Sequence, residues 1–452
     1  MKAITDNIQF LEKNAINKGL SEMILMENAG AALARLISQK AKKLGVKNSQ
    51  ILFLLGGGNN AADGLVAIRH LKKVKAYKLG FKENDIFRQQ EQILTHFGFK
   101  MMKKEPKIHK FKIIVDCILG TGSNRALDEK YYALLEKVNK SKALKIACDI
   151  PTNLGFNPCF KADITACMGA LKEILLEDFA KEFVGKIKLL NLGVKMKKFA
   201  PNSQSNLLEK KDLKTIKRNA NSNKGKFGHV YIVGNSSAGT LAGLGALNFG
   251  SGLVSLVAKK TLSPLLMLKQ KISNEATAIA LGMGLEDLNF LKDETLQNIP
   301  LVLDANCFLS EAILWYLNRE DVVITPHPKE FARLWKMCFD EELSVENLQK
   351  NRFFYAKKFA KNYNCVLVLK GANPIIIQKE KIFVVNLGNE ALAKGGSGDV
   401  LSGMIAALLG VNFNALKAAK NACLAHALVA KKYKFNKNSF DAIKLAKGLK
   451  CL

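Results

Sequence analysis

Two stretches of this chain repeat one pattern: a short apolar run of strand length, a turn rich in Gly, Asn or Asp, then a helical pattern. That alternation constrains the fold more than any other feature. Strands covered on both faces read as continuous apolar runs, and the helices between them return the chain so that successive strands lie parallel. In the first half a helical stretch around 21–43 precedes ILFLLGGG (51–58), KIIVDCIL (112–119), KIACDIP (145–151) and ADITACMG (162–169). The second half reads GHVYIVGN (228–235), a helix near 239–249, then GLVSLVA (252–258), PLVLDAN (300–306), DVVITPH (321–327) and NCVLVLKG (364–371). It closes on GGSGDVLSGMIAALLG (395–410), a Gly-rich turn running into an apolar helix. The segment 195–225 is polar and rich in Lys, Asn and Ser, so it is the expected linker. The reading is an α/β protein of two domains, 1–205 and 206–452. Beyond the shared alternation the halves show no internal repeat.

Bulk properties narrow the function. At 452 residues the chain exceeds what one core usually organises, and 48% hydrophobic with 24% charged residues suits globular domains. No apolar run reaches the ~18–20 residues of a spanning helix, and Asp6 and Glu12 interrupt the stretch where a secretory leader would be apolar. No membrane partner is expected. The nine cysteines sit singly, without a C-x-x-C pair, which fits reduced core thiols and a cytoplasmic protein. A formal charge of +30 raises the question of nucleic acid. The basic residues are mostly scattered lysines, with no finger, RNA-recognition signature or aromatic-interleaved stripe, so no nucleic-acid partner is expected.

The most informative segment is Ala393-Lys394-Gly395-Gly396-Ser397-Gly398-Asp399. Glycines let backbone N–H groups approach a phosphate closely, and the helix that follows presents its positive end to that charge. An acid at this helix start is placed to take a proton from a hydroxyl as it attacks phosphorus. In the first half, Gly56-Gly57-Gly58-Asn59-Asn60-Ala61-Ala62-Asp63-Gly64 follows a strand and opens a helix, a setting suited to phosphate or nucleotide. Asp116, Gly120-Thr121-Gly122 and Asp149-Ile150-Pro151-Thr152 also follow strands, at the edge where open α/β sheets bind ligands.

The second half resembles the ribokinase superfamily and, within it, the ADP/ATP-dependent NAD(P)H-hydrate dehydratases. The GGSGD loop is similar to that superfamily's anion hole and catalytic Asp. Thr325-Pro326-His327-Pro328-Lys329-Glu330-Phe331 resembles the dehydratase T-P-H-P-G-E-F signature, where small-molecule kinases usually carry Asn in place of His327. Lys370-Gly371-Ala372-Asn373-Pro374 resembles the nucleotide-contacting K-G-A loop, and Gly282-Met283-Gly284-Leu285 a substrate loop. Ser237-Ala238-Gly239 stands where the family has G-A-P, and Asp304-Ala305-Asn306 where it has D-A-D. The resemblance implies a ribokinase-like α/β domain in which Asp399 is the base. It assigns Ala238, Gly284, His327 and Asp399 to substrate, and Lys370 to Pro374 with Gly396, Ser397 and Gly398 to ADP or ATP. Glu330 would serve Mg²⁺.

The first half resembles the NAD(P)H-hydrate epimerases. Leu25-Met26-Glu27-Asn28-Ala29-Gly30 is similar to L-M-E-x-A-G, GGGNNAADG to G-x-G-N-N-G-G-D-G, and Asp116 through Gly122 to D-A-L-x-G-T-G. Asp149 to Thr152 resembles the D-I-P-S strand end, and Ala162 to Thr165 the later A-D-x-T strand. The resemblance implies a Rossmann-like three-layer α/β/α domain with a K⁺ site at Asn60, Asp116 and Thr152. It assigns Asn59, Asn60, Ala61, Ala62 and Asp63, the loop Gly120, Thr121, Gly122, Ser123, Asn124, Arg125 and Ala126, and Asp149 to substrate. Asp149 would do the acid–base work. Ala61 and Ala62 replace two glycines and Asn153 a third, so Cβ atoms stand where the family pattern has none.

Together the resemblances imply a bifunctional enzyme for hydrated NADH and NADPH, expected as a homo-oligomer. A vitamin-precursor kinase of the hydroxymethylpyrimidine type would share the Asp399 role; His327 and the first domain speak against it. A basic binding protein built on inactive enzyme folds is the other alternative.

Overall fold

The structure is a computed structural model that describes residues 1–122, 126–199 and 203–452. It divides into two compact units, Ala3–Ser203 and Gln204–Leu452 with Met1–Lys2.

In the N-terminal unit, β1 (Lys2–Thr5), α1 (Ile8–Asn17) and α2 (Glu22–Leu44) precede β2 (Ile51–Leu55), α3 (Asn59–His70), β3 (Lys75–Lys78) and α4 (Asp85–His96). Next come β4 (Ile113–Cys117), α5 (Tyr132–Lys140), β5 (Leu144–Cys148), β6 (Ile164–Met168), β7 (Leu171–Lys172), β8 (Lys186–Leu190) and α6 (Met196–Phe199). The sheet runs β3-β2-β4-β5-β6-β8 with every pairing parallel. Strands β2, β4 and β6 are buried throughout, as their largely apolar runs require. Separate apolar clusters cover its faces. One contains Leu33, Phe53, Val66 and Phe87; the other contains Leu52, Ile114, Leu135 and Phe160.

Ser21 caps α2 by accepting from Ile24 N, and Gly45, at φ +63, ends it in the left-handed conformation. Gly56 allows the two loops above β2 and β4 to meet: a Cβ there would lie 2.0 Å from Ile118 O.

The C-terminal unit contains β9 (Ser205–Leu207), β10 (His229–Val233), α7 (Ser236–Asn248), β11 (Leu253–Val257), β12 (Met267–Lys269), β13 (Ala278–Leu281), β14 (Leu301–Leu303) and β15 (Val322–Ile324). There follow α8 (Pro328–Phe339), α9 (Val345–Lys350), α10 (Arg352–Asn362), β16 (Val366–Leu369), β17 (Ile375–Gln378), β18 (Lys381–Val384), α11 (Ser397–Leu409), α12 (Ala415–Lys432) and α13 (Ala442–Gly448). Strand order is β12-β11-β10-β13-β14-β15-β16-β17-β18-β9, parallel except where β17 runs against β16 and β18. Helix α11 is buried almost throughout. It packs against α7 through glycines: a Cβ at Gly403 would lie 1.8 Å from Ala242 O, and one at Gly245 2.4 Å from Val400 O. This close approach sets the start of α11, where Gly396 lies against Leu241.

Part of the expected linker forms regular structure. Ser205–Leu207 forms β9, parallel to β18, and Leu207 and Leu208 are buried. Two adjacent leucines in a polar stretch are too few for a periodic signal, yet enough to dock a strand on an open sheet edge. The described cysteines form no disulfide, and Cys338 and Cys451 alone among them are not buried. Among the described residues no helix is long and apolar enough to cross a membrane.

Candidate active sites

In the N-terminal unit the loops after β2, β4, β5 and β6 converge at the C-terminal edge of the sheet. They line a cleft of about 680 Å³ with Asn59, Asn60, Asp63, Gly120, Thr121, Gly122 and Asp149; Gln9 and Glu12 of α1 join them. Asn59 is held by Asn84, whose Nδ2 donates to its Oδ1 at 2.6 Å. Ser123, Asn124 and Arg125 lie outside the described residues. Ala126 lines a neighbouring hollow of about 370 Å³ instead.

Ala61 and Ala62 are not on the cleft wall. They are fully buried in the first turns of α3, and neither has a positive φ, so their methyl groups cause no strain. Asn153 takes φ +65, which its short polar side chain tolerates. Its Oδ1 accepts from Leu127 N at 2.7 Å and its Nδ2 donates to Pro158 O at 2.7 Å, bonds a glycine could not make.

Beneath the loop, Asp116 is fully buried. It accepts from Thr152 Oγ1 at 2.6 Å, Thr152 N at 2.7 Å and Ile118 N at 3.1 Å. Burial outweighs these bonds and pushes its carboxyl up to about 6. Asn60 Nδ2 donates to Leu119 O at 2.9 Å, while its buried Oδ1 has no partner among the described residues. An orphaned amide oxygen near a desolvated carboxylate and a hydroxyl is the donor set of a hard monovalent cation, so these residues fit K⁺.

Asp149 adopts φ +64 at the end of β5. Its Oδ1 accepts from Met168 N at 3.0 Å and from the buried ammonium of Lys172 on β7, which also donates to Met168 O at 2.9 Å. Burial disfavours the charged lysine, but Asp149 more than compensates and raises it. Neither motif inspection nor resemblance had marked Lys172. Its only sequence signal is a lysine inside an otherwise apolar strand end.

In the C-terminal unit Asp399 occupies the third position of α11. Ser397 N donates to Lys394 O at 3.3 Å, leaving the amides of Gly396, Gly398 and Asp399 without acceptors among the described residues, as at any helix start. Burial, then the charge of Asp304, lifts the Asp399 carboxyl to about 6, with Lys370 pulling the other way. Lys370 Nζ sits over the same turn, 3.3 Å from where a Gly398 Cβ would be, and is clamped to Asp304 Oδ1 at 2.7 Å. Ser402 Oγ donates to Asp304 Oδ2 at 2.7 Å. Burial would raise Asp304, yet these two partners hold it below the usual carboxylate range.

The loop of Lys370 is shaped by Arg352, fully buried on α10, which donates to Leu369 O at 2.9 Å, Lys370 O at 3.1 Å and Asn373 O at 3.0 Å. Gly371 and Ala372 are exposed, Asn373 is buried, and Pro374 O accepts from Val385 N. Ser397 Oγ meets His426 Nε2 at 3.0 Å, and burial pushes that imidazole down to about 4.

His327 caps α8: its Nδ1 accepts from Lys329 N at 3.1 Å and Glu330 N at 3.3 Å, while Glu330 Oε2 accepts from His327 N at 2.7 Å. With Nδ1 an acceptor and the ring held below its usual pKa by burial and Lys370, the proton lies on Nε2. Burial raises Glu330 to about 7, with Lys370 3.9 Å away. A desolvated carboxyl of this kind favours a cation, so Glu330 fits Mg²⁺ or its waters. Ala238 and Gly284 meet at Asn235. That side chain accepts from Ala238 N at 2.7 Å, and a Cβ on Gly284, at φ +65, would lie 2.1 Å from its Nδ2.

Comparison with known proteins gives these two centres a common context. Residues 231–450 match the family model described as NAD(P)H-hydrate dehydratase, and residues 22–174 the one described as YjeF-related protein N-terminus. The bifunctional NAD(P)H-hydrate repair enzyme Nnr of Helicobacter pylori is 36% identical over 96% of this chain and 97% of its own length. The chain belongs to the bifunctional NAD(P)H-hydrate repair enzymes.

The Escherichia coli repair enzyme is 31% identical, covering 84% of this chain and 80% of its own. Among solved structures, ADP/ATP-dependent NAD(P)H-hydrate dehydratase from Bacillus subtilis, co-crystallized with ATP/Mg2+, is similar over 52% of this chain and 92% of its own, at 28% identity and TM-score 0.43. Within this repair-enzyme chain, Asp304, Arg352, His426 and Lys172 are among the polar residues at the sites to which the sequence reading gave no role. All four are buried; only Asp304 stands in a motif, and no local spacing announces the other three.

Proposed function

We propose that this chain, in the cytoplasm, restores hydrated NADH and NADPH in two steps. The N-terminal unit interconverts the R and S hydrates. The C-terminal unit then dehydrates the S form at the expense of ADP or ATP. The observation that carries the second step is the isolated Asp399 carboxyl at the open start of α11, with Lys370 held over the same turn by Asp304.

Asp399 takes the proton from the hydrate's hydroxyl as that oxygen attacks the terminal phosphorus of the nucleotide. Charge developing on the transferring group is met by the amides of Gly396, Gly398 and Asp399 and by the Lys370 ammonium. The phosphorylated oxygen is then a good leaving group. The ring nitrogen's lone pair expels phosphate and restores the dihydropyridine. His327 Nε2–H, Ala238 and Gly284 orient the substrate, and the exposed Gly371–Ala372 turn receives the nucleotide. Mg²⁺ held at Glu330 would neutralise phosphate charge. At the first site, K⁺ held by Asn60, Asp116 and Thr152 would draw the substrate's phosphates to the loop at Gly120. Asp149, fixed through one oxygen by Lys172 and Met168 N, does the acid–base work at the carbon that inverts.

The test is recovery of reduced-nicotinamide absorbance from an R/S mixture of hydrated NADH with Mg²⁺, K⁺ and ADP or ATP. Complete nucleotide-dependent recovery, faster than spontaneous epimerisation, is expected. Recovery that stops at the S fraction removes the epimerase step, and no recovery with either nucleotide removes the whole reading.

A further inference from the structure

Inverting a carbon that bears a hydroxyl next to a ring nitrogen requires proton handling on both faces of the ring. The hydroxyl must be protonated as it leaves one face, and the water that adds to the other must lose a proton. One carboxylate serves one of these events at a time. The cleft of the N-terminal unit holds two further carboxyls beside Asp149, those of Glu12 on α1 and Asp63 on α3.

The two differ. Burial, then the charges of Asp149 and Glu12, raises Asp63 well above its ordinary value against the pull of Lys172, which favours its neutral, hydrogen-bond-donating form. Glu12 is half-buried, and its carboxyl makes no hydrogen bond to any described residue. Burial raises it. Lys172 pulls it back down, and Asp149 and Glu22 push it up. Around Glu12 therefore stand Lys172 of β7, Asp149 after β5, Asp63 of α3 and Glu22 of α2. A carboxyl raised in this way keeps its proton to higher pH than a free one, as a group that donates a proton in catalysis must. Asp149 is the complementary group. Its Oδ1 is committed to Lys172 and Met168 N, and among the described residues no donor reaches Oδ2.

We propose that Glu12 is the second catalytic acid–base residue of the epimerase, reaching the cleft from a different element than Asp149. The inference rests on the epimerase reading above. In the R to S direction the Glu12 carboxyl gives its proton to the substrate hydroxyl. The C–O bond breaks, water leaves with the electron pair, and the ring nitrogen's lone pair forms the C=N bond. A water then adds to the opposite face, its oxygen forming the new C–O bond and its proton passing to Asp149 Oδ2. One water leaves and one enters, and the proton moved from Glu12 to Asp149 returns through solvent. The S to R direction runs with the roles exchanged.

The experiment follows R to S conversion in the full chain without nucleotide, separating the epimers by chromatography, for wild type, Glu12→Gln and Glu12→Asp. Nucleotide-dependent dehydration of pure S hydrate by the same preparations reports on the C-terminal unit. The expected result is a kcat loss of about 100-fold or more in Glu12→Gln with KM changed less than about threefold, and partial recovery in Glu12→Asp. The alkaline limb of the wild-type profile, where the acid loses its proton, disappears in Glu12→Gln. A loss below about tenfold, or a loss in KM alone, overturns the assignment while leaving the epimerase reading intact. A wild-type chain that interconverts the epimers no faster than buffer overturns both.

Discussion

The two units place the same side chains, Asp and Lys, at the C-terminal ends of parallel strands, and connect them in opposite ways. In the N-terminal unit Lys172 binds Asp149 directly and is itself buried. In the C-terminal unit Lys370 binds a second acid, Asp304; among the described residues Asp399 has no ion pair, and burial, then the charge of Asp304, lifts its carboxyl to about 6. An ammonium in contact fixes a carboxylate in place. An ammonium anchored one residue away leaves the carboxyl close to its working pH and keeps positive charge free for phosphate. The pairing thus tunes one site for orientation and the other for base strength on an incoming anion.

The largest test of this contrast is Asp399→Asn. Nucleotide-dependent recovery of NADH should fall by about 10³-fold, within the range for a general base, while R/S interconversion without nucleotide is unchanged. A fall in both would mean that the two centres are not separable as described.

Lys370→Met comes next. It leaves Asp304 buried without its counter-charge, and thermal or denaturant unfolding of the C-terminal unit should show a loss of about 3–5 kcal/mol. Little change would show that Ser402 and solvent suffice for Asp304.

A pH profile sharpens the comparison further. With Asp399 as the proposed base, which works ionised, kcat/KM for dehydration should climb through about pH 6 and level off above it. Asp304→Asn removes a charge that raises Asp399 and frees Lys370, which lowers it. Both effects move the acid limb to lower pH. Movement to higher pH would contradict the assigned pairing.

The orphaned Asn60 Oδ1 gives a smaller effect, read without activity. K⁺ in place of choline should raise the melting temperature of the N-terminal transition by a few degrees, and Asn60→Ala should abolish the rise. The smallest effect is at Ala61. Its methyl is buried in a helix, so Ala61→Gly should cost about 1 kcal/mol in unfolding measurements and improve epimerisation little.

Much of the fold was legible. The apolar runs at 51–55, 113–117 and 164–168 are central strands, and the Gly-rich turn at 395–398 opens α11 as its pattern implied. Legibility ended where a contact joins distant parts of the chain. Ser205–Leu207 read as linker because one short edge strand carries no period of its own. Ala61, Ala62 and Asn153 read as departures that a Cβ would spoil. In the structure the alanines are interior to a helix, and Asn153 makes two hydrogen bonds that hold its left-handed turn.

The sequence by itself determined the two α/β units and the Gly-rich and acidic loops at the strand ends, because hydrophobic period and turn composition are local properties. Only the tertiary structure decided which acid each lysine serves. Lys172 lies 23 residues from Asp149 and Lys370 lies 66 from Asp304. Whether a carboxyl ends paired or alone depends on which strands lie side by side and how deeply each group is buried, and neither is written in the spacing of the residues.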